Sequence, residues 1–125
     1  MKKVAHVSPD GAPAVGPYSP AIGAGDLVFV SGQLPLDTAG KIVVFTPKEQ
    51  ARKALENMRA TLTAAGLAMD DVVKTTIFLH DMDDFGAVNE IYAEFFAEPY
   101  PARSTVQVGR LPKDVRVEIE AIAVR

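Results

Sequence analysis

The stretch VRVEIEAIAV, residues 115–124, alternates along its whole length. Val115, Val117, Ile119, Ala121 and Ala123 fall on one face of an extended strand, and Arg116, Glu118, Glu120, Ile122 and Val124 on the other. The odd face is apolar throughout and needs a covering layer. The even face is polar at one end and apolar at the other. A strand of this kind belongs in a sheet backed by helices, and the rest of the chain supplies two. Thr46-Pro47-Lys48-Glu49 has the form of a capping box, with Thr46 as N-cap and Pro47 at the first helical position. Ala51, Leu55, Met58, Leu62 and Ala65 then recur at helical spacing, and Gly66 is the expected stop. The second helix is expected within DMDDFGAVNEIYAEFFAEPYP (81–101), with Phe85, Val88, Tyr92, Phe95 and Phe96 along one side.

The strands follow from apolar runs and their breakers. A short strand is expected near Lys3 to His6, and a Pro/Gly-rich loop follows it. A tight hairpin joins Ala21–Ala24 to a buried strand from Leu27 to Ser31, ended by Gly32. The β-branched run Val72–Leu79 is a strand. RSTVQV (103–108) and the final strand are joined by a turn at GRLPKD (109–114). The order is ββ-α-β-α-ββ behind the first short strand. This is an α+β fold: a mixed sheet with two helices on one face, in one domain spanning residues 1–125.

In RSTVQV, Arg103, Thr105 and Gln107 alternate with Ser104, Val106 and Val108. If the apolar set faces the helices, Arg103 joins Glu118 and Glu120 on the open face. That face also carries Ile122 and Val124, and a half-apolar open surface asks for a partner. A homo-oligomer packed through it would form clefts at the seam. Arg103 is then either an ion-pair partner of one glutamate or a bidentate clamp for a ligand carboxylate. Glu118 and Glu120 are either a solvated strand edge or supply one general base acting on water. Tyr18, Ser31, Gly32 and Asn89 carry the same two kinds of reading, as surface or turn residues or as lining of a site.

Several classes of function are disfavoured. Hydrophobic residues make up 48% of the chain and charged residues 23%, a globular balance. With no Cys and only His6 and His80, a metal centre is not expected. MKKVAHVSPDG lacks the apolar region of a secretory signal, and no run is long enough to span a bilayer, so a cytoplasmic location is expected. The net charge is −3 and the cations are scattered singly, which argues against a nucleic-acid partner. The DFG at 84–86 is a helix start, since the other parts of a kinase signature are missing.

GPYSPA (16–21), VSGQLP (30–35), DMDDFGAVNEIYAEFF (81–96) and PARSTVQVGRLPKDVRVEIEAIA (101–123) together resemble the RidA (YjgF) family of enamine/imine deaminases, formerly the endoribonuclease L-PSP family. The resemblance runs nearly end to end. It implies a chorismate-mutase-like α+β fold, a homotrimer with three clefts between subunits, and no cofactor. It also implies hydrolysis of reactive 2-imino or 2-enamino acids, such as 2-aminoacrylate and 2-iminobutyrate, to 2-keto acids and ammonia. By the same resemblance Arg103 would hold the substrate carboxylate and Glu118 would position water. Tyr18, Ser31, Gly32 and Asn89 would line the cleft. Thr105 stands where the family often has Cys, and AEPYP (97–101) is shorter than the loop of some members. Two alternatives stay open: a non-catalytic binder of small 2-keto acids, and a ribonuclease or translation inhibitor. The absence of a basic groove weighs against the second.

Overall fold

The final strand lies in the middle of the sheet, and every other element is placed by it. In the computed structural model, which describes residues 2–125, the elements are β1 (Lys3–His6), β2 (Ala21–Ala24), β3 (Leu27–Gln33), α1 (Pro47–Ala64), β4 (Val72–Leu79), α2 (Phe85–Phe95), β5 (Ala102–Gln107) and β6 (Val117–Val124). The six strands form one sheet in the order β1-β2-β3-β6-β4-β5. β6 runs antiparallel to both β3 and β4. Among the described residues only β4 and β5 pair in parallel, and α2 is their crossover.

The odd face of β6 is the floor of the core. Val117, Ile119, Ala121 and Ala123 are buried together with Val28 and Val30 of β3 and Ile77 and Leu79 of β4. Ala51, Leu55, Met58 and Leu62 of α1 and Val88, Ile91 and Tyr92 of α2 cover them. The Thr46 capping box forms as expected, with both reciprocal contacts to Glu49. Two buried amides tie α1 to what lies beneath it. Asn57 donates to the carbonyls of Leu34 and Leu36, each at 2.9 Å. Gln50 donates to the Val44 carbonyl at 3.0 Å and accepts the Arg116 N–H at 2.7 Å, which fixes the approach to β6.

Three expectations need correction. β3 does not stop at Gly32; it continues to Gln33 through a register shift against β6 between Val30 and Gln33. The second helix begins at Phe85 after a 3₁₀ turn (Met82–Asp84) and ends at Phe95, so Phe96 already leaves in extended conformation. Its inner face is Val88, Ile91 and Tyr92, while Phe85 stays 38% exposed.

The third correction matters most. Arg103, Thr105 and Gln107 do not share a face with Glu118 and Glu120. In the parallel register, Arg103 lies beside Thr75, Thr105 beside Ile77 and Gln107 beside Leu79, all on the helix side. Glu118 lies beside Phe78 and Glu120 beside Thr76, on the open side, as do Ser104 and Val106. β5 is an edge strand that the helices only partly roof, so its polar residues could take the inner face and Val106 the outer one. The open side also carries Leu27, Phe29 and Val73, each more than 40% exposed. Among the described residues, no helix is long and apolar enough to cross a membrane.

Candidate functional site

Two clefts, one on each side of the sheet, hold the residues singled out by the sequence apart from Thr105. The first lies between α2 and β5. Asn89, Tyr92 and Ala93 of α2, Arg103 of β5, and Tyr100 and Pro101 of the connecting loop line a space of about 300 Å³. Among the described residues no carboxylate lies within 4.0 Å of the Arg103 guanidinium. Its Cζ sits over the Tyr92 ring, 4.8 Å from the centroid, and 5.6 Å from the centroid of Phe85. The Tyr92 hydroxyl shares a buried 2.8 Å hydrogen bond with Thr75 Oγ1. Burial holds the Tyr92 phenol above its ordinary pKa, although the Thr75 hydrogen bond and the Arg103 charge oppose that shift.

Thr105 stands two residues along β5 on the same face. Its Oγ1 is buried without a hydrogen-bond partner among the described residues. A buried hydroxyl left unpaired is destabilising. Thr105→Val, which replaces it with a methyl of similar size, should stabilise the fold by about 1 kcal/mol. A urea midpoint unchanged or lowered by the substitution would mean that the hydroxyl is satisfied.

The second cleft, about 320 Å³, opens on the other side, between β3, β6 and the loop before β2. Tyr18, Ser31, Gly32, Glu118 and Glu120 line it, with Val15, Leu34 and Pro112. Local bonds set the Tyr18 loop. Ser31 Oγ donates to the Ser19 carbonyl at 2.6 Å, the Ser31 N–H donates to the Pro20 carbonyl at 2.9 Å, and the Tyr18 hydroxyl accepts the Val15 N–H at 3.2 Å. Ser31 thus uses its hydroxyl to anchor the loop. Gly32 makes room for Glu118: a β-carbon at this position would overlap the Glu118 carboxylate. That carboxylate has no cation within 4.0 Å among the described residues. Burial, and then the charge of Glu120, raise its pKa above the ordinary carboxylate value. A carboxylate with raised proton affinity, lining an open cleft with room for water and a small ligand, has the character of a general base.

One copy of the chain therefore groups Tyr18, Ser31, Gly32 and Glu118 in one cleft, and Asn89 and Arg103 in another with Thr105 adjacent. It does not bring Arg103 and Glu118 together. The ion-pair reading of Arg103 with Glu118 or Glu120 fails for the same reason. No group of three His, Cys, Asp or Glu side chains gathers as a metal site among the described residues. Sequence reasoning passed over the aromatic support of Arg103. The signal for it was present, since Phe85, Asn89 and Tyr92 are spaced by four and three residues and share a helix face.

The profile of the endoribonuclease L-PSP family matches residues 10–125. The chain belongs to that family. A RutC family protein of Pyrococcus horikoshii is 54% identical over 110 residues, 87% of each chain. The 2-iminobutanoate/2-iminopropanoate deaminase of Salmonella typhimurium is 49% identical over 123 residues, 95% of this chain and 96% of the deaminase. Among solved structures of L-PSP proteins, Escherichia coli TdcF with bound serine superposes with a TM-score of 0.91 at 46% identity, covering 98% of both chains. The six-stranded mixed sheet backed by two helices is thus the fold of this L-PSP family member and of its solved relatives.

Proposed function

We propose that this chain hydrolyses reactive 2-imino acids, such as 2-iminobutyrate and the imine form of 2-aminoacrylate, to 2-keto acids and ammonia. The active site is shared between copies: Arg103 of one copy holds the substrate carboxylate, and Glu118 of the next positions and deprotonates the attacking water. One observation carries this reading. Among the described residues, Arg103 and Glu118 are each without an ionic partner, in clefts on opposite sides of one sheet. In this reading the face carrying exposed Leu27 and Phe29, with half-buried Ile122 beside them, packs against a second copy so that the Arg103 cleft of one meets the Glu118 cleft of the other. Three copies arranged head to tail would close the ring with three identical sites.

The chemistry needs little more. A protonated imine carbon is already an electrophile. Glu118 takes a proton from water as the new C–O bond forms, giving a carbinolamine. Glu118 then gives that proton to the amino nitrogen; as the C–N bond breaks and ammonia leaves, the hydroxyl proton passes to the ionised Glu118, which releases it to solvent, and the ketone remains. Holding the carboxylate bidentately fixes the imine carbon relative to the water, so orientation and one base supply the rate. Asn89 borders the carboxylate end, and Tyr18 and the backbone at Ser31 and Gly32 wall the water end. Thr105, two residues beyond Arg103 on the same face of β5, stands next to the carboxylate pocket. The deaminase name carried by the Salmonella relative supports the reaction class. The serine in the TdcF structure supports a small carboxylate-bearing ligand.

The test is a coupled assay in which an amino-acid dehydratase or oxidase generates the imine and its decay is followed. Arg103→Ala should lower kcat/KM by about 10²-fold or more, since a hydrogen-bonded charge pair with the substrate is lost. Near wild-type efficiency in that variant rules out the clamp. Glu118→Ala should abolish turnover yet keep 2-ketobutyrate binding. If the wild-type protein binds 2-ketobutyrate and leaves imine decay unchanged, the chain is a binder of keto acids instead.

A further inference from the structure

Arg103 is held in place by rings. The Tyr92 centroid is 4.8 Å from its Cζ and the Phe85 centroid 5.6 Å. A π-face attracts a guanidinium without engaging its N–H groups, whereas a carboxylate partner would use two of them. An acid in this place would also compete with any incoming carboxylate. We propose that Tyr92, assisted by Phe85, is the positioning residue for Arg103: an aromatic cradle that fixes the guanidinium at the cleft and keeps its N–H edge available for the ligand carboxylate. This rests on the reading of Arg103 as the carboxylate clamp.

The cradle is itself well fixed. Tyr92 is 5% exposed, its hydroxyl is bonded to Thr75 at 2.8 Å, and its ring lies 4.4 Å from that of Phe96. Thr75 is the register partner of Arg103 on the neighbouring strand. The tyrosine therefore touches adjacent strands at one level, anchoring to β4 with its hydroxyl and supporting β5's arginine with its ring. Phe85 stands two helical turns before Tyr92 on α2 and extends the apolar support along the same face. The hydroxyl and the ring thus have separable roles, one in the fold and one at the cleft.

That separation sets the experiment. Binding of 2-ketobutyrate is measured by calorimetry, and 2-iminobutyrate turnover by the coupled assay, for wild type, Tyr92→Phe, Tyr92→Leu, Phe85→Leu, Arg103→Ala and each leucine substitution combined with Arg103→Ala. Tyr92→Phe keeps the ring, so Kd should stay within about twofold even as thermal stability drops. Tyr92→Leu should weaken binding about tenfold, with KM rising in step and kcat falling less. Phe85→Leu, at the more distant and more exposed ring, should weaken it about threefold, and it carries the test should Tyr92→Leu fail to fold. Neither leucine substitution should add to the loss in kcat/KM already caused by Arg103→Ala, because both act through that arginine. A folded leucine variant with wild-type affinity overturns the cradle, as does Tyr92→Phe losing as much affinity as Tyr92→Leu, or a leucine loss that persists in the Arg103→Ala background. If Arg103→Ala loses binding while the leucine variants retain it, the clamp stands and only the cradle fails. If wild type neither binds 2-ketobutyrate nor turns over the imine, both fall.

Discussion

Subunits carrying Arg103→Ala, refolded together with subunits carrying Glu118→Ala, should recover activity that neither variant has alone. Each cleft in the proposed ring takes its arginine from one copy and its glutamate from the next. In a random mixture of equal amounts, about three quarters of trimers contain both variants, and each of those has one intact cleft, so roughly a quarter of wild-type turnover should return. The prediction follows from the register of β5 and β6, which puts the two side chains on opposite sheet faces of a single copy. Mixed trimers identified by native mass spectrometry but showing no more turnover than the two parents would defeat the shared-site reading. Activity at the same level in a strictly monomeric sample would defeat it as well.

The second large effect is expected at Gly32. Its missing side chain is the space in which the Glu118 carboxylate lies. Gly32→Ala must push that carboxylate aside, and the moving part is the tip of a flexible side chain, so the backbone keeps its path. The cost should fall on chemistry. Turnover should drop by about 10²-fold, the usual contribution of a positioned base, while 2-ketobutyrate still binds through Arg103. Gly109→Ala is the matching control, since a β-carbon there meets nothing within 4 Å. Equal kcat in Gly32→Ala and Gly109→Ala would show that the place occupied by Glu118 is unimportant to the reaction.

The sequence and the structure agree where local pattern is enough. The Thr46–Glu49 box, the strand Val72–Leu79 and the apolar odd face of residues 117–123 all form as read, because capping chemistry and alternation act over a few residues. The face of β5 could not be read in this way. Alternation reports burial only when one side of a strand is fully covered. In this edge strand Val106 is 41% exposed and Arg103 half-buried, so polarity gave the wrong side. Its orientation is decided by hydrogen bonding to β4, more than twenty residues earlier in the chain. The site divides along the same line. Tyr18, Ser31, Gly32 and Glu118 line one cleft, whereas the place of Arg103 needed the register, and its aromatic support needed the packing of α2.

The position of β6 has a consequence for how the molecule comes apart. Among the described residues, the strands β1-β2-β3 and the pair β4-β5 have no ladder in common except through it. Both of its ladders join residues distant in sequence, the kind of pairing that forms late and slowly. With β6 detached, two fragments of sheet would remain, each with an unpaired inner edge and neither with a closed core. Loss of this strand and loss of the whole fold should then be one event, with its central amides exchanging with solvent only at the rate of global unfolding.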